Sequence, residues 1–501
     1  MMHAQLPFKL EDATLLHERS LLNGQWVQAR SKETFDIEDP GTGKCFAACP
    51  TNKASDVDAF VETSHEAFNE YRHVNPRVRA KTLLKWHDLI TAAREDIATL
   101  VTYETGKPLV EARGEIDYAL GFAWWFAGEA ERVRGSIAVP SVSERRTFVV
   151  KQPIGVSVAL VPWNFPVAMI IRKVAAALAA GCSMIVKPSP ETPLSTLALA
   201  DLALRAGVPP GVFNVITTDN INTPAVSERL CKHPLVRKVT FTGSTAIGKL
   251  IARHCTEGLK KVTLELGGNC PFIVFNDGDL EHAVEALMIL KWRTAGQACT
   301  HANRVYVQSG VYQEFAKLIL EATRKIRVGH GADAATTMGA LTTSRGIEKL
   351  ERHIADAVEK GGKILCGGRQ PPARAGGYFF EPTIIADMHQ SMLTTSEEIF
   401  GPLLGLYKFE TEAEVVKAAN ETSMGLASYF FTRDTKRTWR LLENLEAGMI
   451  GMNTGNASGA ESPFGGIKES GYGKEAGKDV AIEEYLISKT GTLTVGSMSK
   501  L

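Results

Sequence analysis

The stretch RTAGQACTHANR (293–304) places one thiol, Cys299, among small and polar neighbours, with His301 two positions on and an arginine at each end. A cysteine usually packs as a small hydrophobe. Here Thr294, Ala295 and Gly296 leave little bulk over Cys299, and glycine lets backbone amides come close to a reacting atom. A thiolate in such a place is a nucleophile. In VTLELGGNCP (262–271), Glu265 lies in an apolar run before a glycine pair. Burial there raises a carboxyl toward the range of a general base, the alternative being a satisfied structural glutamate. PWNFP carries Asn164, whose amide either donates to a developing oxyanion or caps its own turn.

In FTGSTAIG (241–248) a strand ends at Gly243 and a helix opens at Ser244. Free amides and a hydroxyl at the positive end of a helix suit a phosphate; an ordinary turn capped by Ser244 is the other reading. The GxxxxG spacing differs from the GxGxxG dinucleotide fingerprint. Arg172 and Lys173 stand side by side in an otherwise apolar helical sequence. Such charges either reach solvent or meet an anion.

These residues sit at the ends of a repeating strand and helix pattern. GVSVALV reads as a buried strand, PWNFP as a turn, VAMIIRKVAAALAAG as a helix opened near Pro166 and closed by Gly181, and SMIVKP as the next strand. A second such unit runs from GVFNVIT through TPAVSERLCKH to KVTFTG and STAIGKLIARHC. Strands alternating with helices predict an α/β protein with a largely parallel sheet. The stretch 131–152 instead reads as two short extended segments joined by a polar turn, and YLISKTGTLTV near the end is again rich in Thr, Val and Ile. Both predict edge strands of a separate small sheet, able to pair between subunits. No internal repeat is visible.

The whole chain sets outer bounds. Its 501 residues, 44% hydrophobic and 22% charged, suit a large globular protein of two or three domains. Lys plus Arg and Asp plus Glu both number 56, so there is no basic surplus for nucleic-acid phosphates. The eight cysteines form no CxxC pair, which argues against a zinc site or disulfide framework and for a reducing compartment. The apolar run 174–186 is broken by Gly181 and is too short to span a bilayer. No secretory leader is expected, because Glu11 and Asp12 precede any apolar region. Ser499, Lys500 and Leu501 spell the S-K-L read by the peroxisomal import receptor. Peroxisomes are therefore the expected location, the cytoplasm otherwise.

Taken in order, PWNFP, IVKPSPETP, FTGSTAIG, LELGG, GQAC, EEIFGP and PFGGIKESGYGKE closely resemble the motifs of the aldehyde dehydrogenase superfamily, from LLNGQWV near Leu21 almost to the end. The resemblance implies a Rossmann-type dinucleotide-binding domain (1–131 and 151–264), an α/β catalytic domain (265–469), and a small β oligomerisation arm with the C-terminal tail (132–150 and 470–501). It implies a homodimer or homotetramer, no metal, and NAD or NADP held by Trp163, Lys187, Pro190, Gly243, Ser244, Leu266, Glu398 and Phe400. Cys299 is then the nucleophile. Asn164 and the Cys299 N–H hold the oxyanion, Glu265 deprotonates the hydrolytic water, and Lys173 and Glu475 help relay protons. Enzymes of the superfamily that pass the acyl group to coenzyme A lack the glutamate at the Glu265 position, so hydrolysis to a carboxylic acid is expected.

Within the superfamily, NFPVAMIIRK, RTAGQAC and SGAESPFGG most resemble the group acting on succinic semialdehyde. That likeness implies Arg172, Arg293 and Ser458 for the substrate's remote carboxylate; a helix C-terminal cation is the plainer reading of Arg293. Three departures stand out. His301 replaces the second cysteine of animal members, so their redox switch is not expected. Pro190 replaces the glutamate that often binds the adenosine ribose, with Glu191 beside it, which leaves cofactor choice open. Thr294 replaces the asparagine common before AGQ or TGQ. Three rivals follow: an oxidiser of other aliphatic or secondary-metabolite aldehydes, a catalytically silent fold with a structural or binding role, and a cofactor-free cysteine hydrolase using His301 or a distant residue as base.

Overall fold

The computed structural model describes residues 6–372 and 376–496, so the S-K-L terminus lies outside the described residues. Two sheets dominate it. The first has eight strands, in the spatial order Gln25–Val27, Ser20–Leu22, Phe213–Val215, Ser183–Lys187, Val156–Leu160, Val236–Thr242, Lys261–Glu265 and Gly471–Tyr472. The five strands from Phe213–Val215 to Lys261–Glu265 run parallel, Ser20–Leu22 and Gly471–Tyr472 flank them antiparallel, and Gln25–Val27 pairs antiparallel with Ser20–Leu22. The chain starts this parallel set at Val156–Leu160, steps outward twice, then returns to lay Val236–Thr242 on the other side. Between those two strands lies a topological switch point, where open parallel sheets bind ligands beyond the strands' carboxyl ends. Trp163 and Asn164 follow one strand, and Gly243 and Ser244 follow the other.

Side chains alternate across this sheet as a period of two requires. Val156, Val158, Leu160 and Ile185 share one apolar layer with Val57, Phe60, Val226 and Ile251. Ala159, Met184 and Val186 face the opposite layer with Leu178 and Leu197. The helix Pro166–Ala180 has Pro166 in its first turn and ends at Gly181, which adopts φ 92°. Every residue in it is buried, so an all-round apolar sequence forms a core helix rather than an amphipathic one.

The second sheet has seven strands, in the order Lys363–Cys366, Thr383–Met388, Leu403–Phe409, Ala302–Gln308, Cys270–Val274, Ala427–Phe431 and Met449–Met452, parallel except for the first pair. The chain crosses from one sheet to the other within Leu266, Gly267, Gly268 and Asn269, between the strands Lys261–Glu265 and Cys270–Val274. The extended segments expected in 131–152 and near the C-terminal end join as a three-stranded antiparallel sheet of Ser136–Ala138, Arg145–Pro153 and Leu486–Thr494. Gly471–Tyr472, inside the stretch assigned to the arm and tail, instead adds a strand to the first sheet.

One buried cation locks the second sheet. Arg304 is fully buried, and its guanidinium donates to the carbonyls of Asn269 (2.9 and 3.0 Å), Ala418 (2.9 Å) and Ala419 (2.9 Å). It ties the crossing segment to the last turn of the helix Glu412–Asn420, where unpaired carbonyls concentrate. Arg304→Met takes the guanidinium from the buried Asn269 and Ala419 carbonyls, while the Ala418 carbonyl keeps a bond from the Tyr306 hydroxyl at 3.4 Å. A loss of about 2 to 4 kcal/mol of unfolding free energy is expected, at about 1 to 2 for each of the two stranded carbonyls. The measurement is the urea midpoint; an unchanged midpoint would show that the carbonyls find other partners.

Candidate active site

A cavity of about 380 Å³ opens beside Cys299, lined among others by Tyr118, Phe165, Arg172, Arg293, Ser458 and Phe464. The thiol follows an unusual turn. The helix Leu280–Trp292 stops at Arg293, and Thr294, Ala295 and Gly296 all take left-handed conformations, with φ of 51°, 48° and 74°. That shape is unfavourable for a β-branched threonine and persists only where neighbours over-determine it. The neighbours are present. Glu111 Oε2 accepts from the Thr294 N–H at 2.7 Å, Gln297 Nε2 donates to the Thr294 carbonyl at 3.0 Å, and Gln297 Oε1 accepts from the Thr342 N–H at 3.1 Å. The Cys299 carbonyl accepts from the Cys270 thiol at 3.4 Å, and a Cβ on Gly268 would lie only 2.2 Å from that oxygen. Gly268 is required for this approach. Burial pushes the half-buried Cys299 thiol up; Glu398 and Cys270 add to the rise, and Arg172 opposes it.

Asn164 is buried beside this turn. Its Nδ2 donates to the Gln297 carbonyl at 3.0 Å, which leaves the second amide hydrogen unassigned, and its Oδ1 has no partner. Two residues absent from the sequence reading hold its loop. Lys107 Nζ donates to the Asn164 carbonyl at 2.8 Å and to Glu115 at 2.5 Å, with both side chains 1% exposed. The other Glu115 oxygen accepts from the Val167 and Ala168 N–H groups at 2.8 and 3.1 Å, capping the helix Pro166–Ala180. An acidic residue on a mostly apolar helical stretch was the one available signal for Glu115.

Arg172 and Lys173 do not reach solvent. Both meet Glu475: Arg172 at 2.8 Å, and Lys173 through a very short contact, with further bonds from Lys173 to Thr240 (3.0 Å) and Thr242 (2.8 Å). Burial opposes ionisation of Glu475, but Lys173 and Arg172 outweigh it and hold the carboxyl down to about 2. Glu265, 2% exposed, has no hydrogen-bond partner on either oxygen. Burial and the Glu475 charge raise its carboxyl well above the usual range, against Arg172, Lys173 and Lys474. One carboxylate is therefore held ionised and its neighbour is biased toward the protonated form, the separation that acid and base work needs. Arg172 stacks on Phe464 at 4.1 Å, while Arg293 is exposed, lies 5.4 Å from the Phe165 ring centroid and stands at the C-cap position of its helix, as its plainer reading had it. Ser458 Oγ accepts from Tyr118 at 3.3 Å.

The residues expected to hold a dinucleotide gather at the switch point and around it. Ser244 is exposed and stands at the N-cap of the helix Thr245–Thr256 without a side-chain capping bond, so the turn is not capped by Ser244 as its plainer reading had it. Gly243 donates to the Glu265 carbonyl at 3.0 Å, and the buried Leu266 presses on Gly248, where a Cβ would be 2.3 Å away. Trp163 and Phe400 meet edge to face at 5.6 Å, and Glu398 accepts from the Gly268 N–H at 3.0 Å. Lys187 donates to Thr223 at 3.1 Å, and burial brings its ammonium down to about 8 against the pull of Glu191. Pro190 is buried and offers no donor, while Glu191 is engaged by Ser189, Asn220 and Arg345. Uncapped amides, close-approach glycines and flanking rings fit a dinucleotide. His301 is fully buried without a hydrogen-bond partner on either ring nitrogen, and burial holds it well below its ordinary value, so it is not presented as a base for Cys299. Among the described residues, no group of three or more His, Cys, Asp and Glu is placed to hold a metal, and no helix is long and apolar enough to cross a membrane.

The comparisons agree with this geometry. A family model described as the aldehyde dehydrogenase family matches residues 26–490. An NADP-dependent succinate-semialdehyde dehydrogenase of Escherichia coli is 47% identical over 95% of this chain and 98% of its own length. A 3-sulfolactaldehyde dehydrogenase of Pseudomonas putida is 47% identical over 95% of this chain and 97% of its own. The crystal structure of a succinate-semialdehyde dehydrogenase from Burkholderia pseudomallei superposes with a TM-score of 0.95 at 43% identity, covering 97% of this chain and all of that one.

The Lys107 and Glu115 pair generates a test of what holds the Asn164 loop. Lys107→Met strands a buried carboxylate and is expected to lower stability by about 3 to 5 kcal/mol, whereas adding Glu115→Gln removes the charge and recovers part of the loss. Urea unfolding of the two variants reads the difference; equal losses would show that the charge is not the cause.

Proposed function

The chain belongs to the aldehyde dehydrogenase family and is an NAD(P)-dependent aldehyde dehydrogenase; from that premise we propose that its substrate bears an anionic group remote from the aldehyde, with succinic semialdehyde first. The observation that carries this reading is that Arg172, Arg293 and Ser458 line one cavity with Cys299. A guanidinium there holds a carboxylate through charge-assisted hydrogen bonds. The Tyr118 hydroxyl, by donating to Ser458 Oγ, leaves the serine proton free for the anion.

In this reading the Cys299 sulfur, as thiolate, attacks the aldehyde carbon, forming a C–S bond. The oxyanion is met by the free amide hydrogen of Asn164 and the Cys299 N–H. Hydride acceptance is the chemistry that bound NAD or NADP supplies. Glu265 then takes a proton from water, which attacks the thioester on Cys299, and the acid leaves as the thiol is restored. Glu475 and Lys173 carry the proton away from Glu265. Pro190 lacks a carboxylate and that of Glu191 is already engaged, so NADP is accepted: kcat/KM with NADP is expected within about a thousandfold of that with NAD. The same reading gives the three-stranded sheet, with Ile137 and Leu493 exposed, an oligomeric role. It also includes a peroxisomal address, checked by punctate localisation of a fusion that keeps Leu501 terminal.

A second reading rests on cavity size. About 380 Å³ is in the range that holds drug-sized ligands, more than a four-carbon aldehyde fills. Longer anionic aldehydes therefore follow, and a panel of ω-carboxylated aldehydes of rising length separates the two readings.

Cys299→Ala should abolish oxidation. Glu265→Gln should retain a burst of NAD(P)H and then slow. Because the Glu265 carboxyl is raised and only its ionised form is a base, steady-state turnover should climb as pH rises through that value, and the climb should vanish in Glu265→Gln; a limb that persists assigns it elsewhere. Arg293→Ala should lower kcat/KM for succinic semialdehyde roughly thirtyfold to a thousandfold while a neutral aldehyde of equal length changes little. Equal losses on both substrates would make the arginine structural. Arg172 is the poorer probe, since its removal also takes one of two cations from Glu475.

A further inference from the structure

The helix Leu109–Ala130 touches three parts of the site with one face. Glu111, Glu115 and Tyr118 stand at i, i+4 and i+7, so they project from the same side. Glu111 accepts from the Thr294 N–H, Glu115 from the Val167 and Ala168 N–H groups, and Tyr118 donates to Ser458. The first contact stands apart. Thr294 begins the left-handed run that leads to Cys299, and its carbonyl is held from within the turn by the Gln297 side chain and N–H. The hydrogen bond on its amide comes from another element, through Glu111.

We propose that Glu111 is a positioning residue for the catalytic thiol: its carboxylate fixes the Thr294 amide and so holds the turn that aims Cys299 into the cavity. Left alone, Thr294 and Ala295 would relax toward right-handed or extended backbone, which L-residues prefer. Relaxation there shifts Cys299 relative to Asn164, because the Asn164 amide is bonded to Gln297 in the same loop. Glu111 touches neither the substrate nor the reacting atoms. It acts through the backbone, so its loss falls on the rate at saturation rather than on cofactor binding at the other end of the cleft.

Glu111→Ala removes the acceptor. Expected are a fall of roughly tenfold to a hundredfold in kcat at saturating aldehyde and cofactor, and a similar slowing of Cys299 alkylation by iodoacetamide read by peptide mass spectrometry. The dissociation constant for NADP should stay as in the parent, which also reports that the variant is folded. Glu111→Gln keeps an acceptor oxygen and should return kcat to within about threefold of the parent. If Glu111→Ala does not fold, Glu111→Met fills the space without an acceptor and carries the same expectations. Parental kcat and alkylation in the acceptor-free variant would overturn the proposal, and so would a Glu111→Gln enzyme as impaired as Glu111→Ala.

Discussion

Glu475 takes both buried cations, and that allotment sets the chemistry of the site. The carboxyls of Glu265 and Glu475 and the cations of Arg172 and Lys173 are all buried. Had Arg172 or Lys173 paired with Glu265, that carboxyl would be locked in its charged form and unable to cycle a proton near neutrality. Because Glu475 holds both, Glu265 is left with neither hydrogen bond nor cation. The carboxyl that takes the proton from water is thus the one without a partner, and its over-bonded neighbour rests ionised. Adjacent basic residues in the helix Pro166–Ala180 and one acidic residue late in the chain are enough to build this asymmetry.

Glu265 and Cys299 come from different sheets, so their relative placement rests on the crossing segment. Leu266 donates its N–H to the Ser470 carbonyl and lies against Gly248, Gly268 lets the chain touch the Cys299 carbonyl, and the Asn269 carbonyl receives Arg304. Ser470 also donates to the Gly267 carbonyl at 2.6 Å, so all four residues of the crossing are held through their main chain. Such contacts transmit position with little slack, because packed interiors do not deform smoothly. None of the four crossing residues lines the cavity beside the thiol.

The parallel strands and their helices were legible because their signals are local: β-branched runs, Pro166 at one helix start and Gly181 at its end. Cys299, Glu265 and Arg172 were legible as candidates because their residue types conflict with their surroundings, whereas Asn164 suited its turn and the substrate role of Arg293 came from the family resemblance alone. What escaped notice was the bracing. Lys107, Glu111, Glu115 and Gln297 are ordinary polar residues in ordinary helical or loop sequence, and they matter through partners between 3 and 183 positions away along the chain. The left-handed Thr294 and Ala295 were equally hidden, since neither residue type favours that shape. The fate of Arg172 was half visible: an anion partner was one of two readings, but not which anion.

The helix Thr245–Thr256 opens without a cap from its own chain. A helix start whose amides are left for a ligand is a place where local opening is easiest when the ligand is absent. Any anion that bonds there adds to the folded state by mass action, by RT ln(1 + [L]/Kd). The supply of dinucleotide then governs more than the rate. It sets how long this corner of the protein withstands proteolysis and heat, so the abundance of the enzyme would follow the abundance of its oxidant.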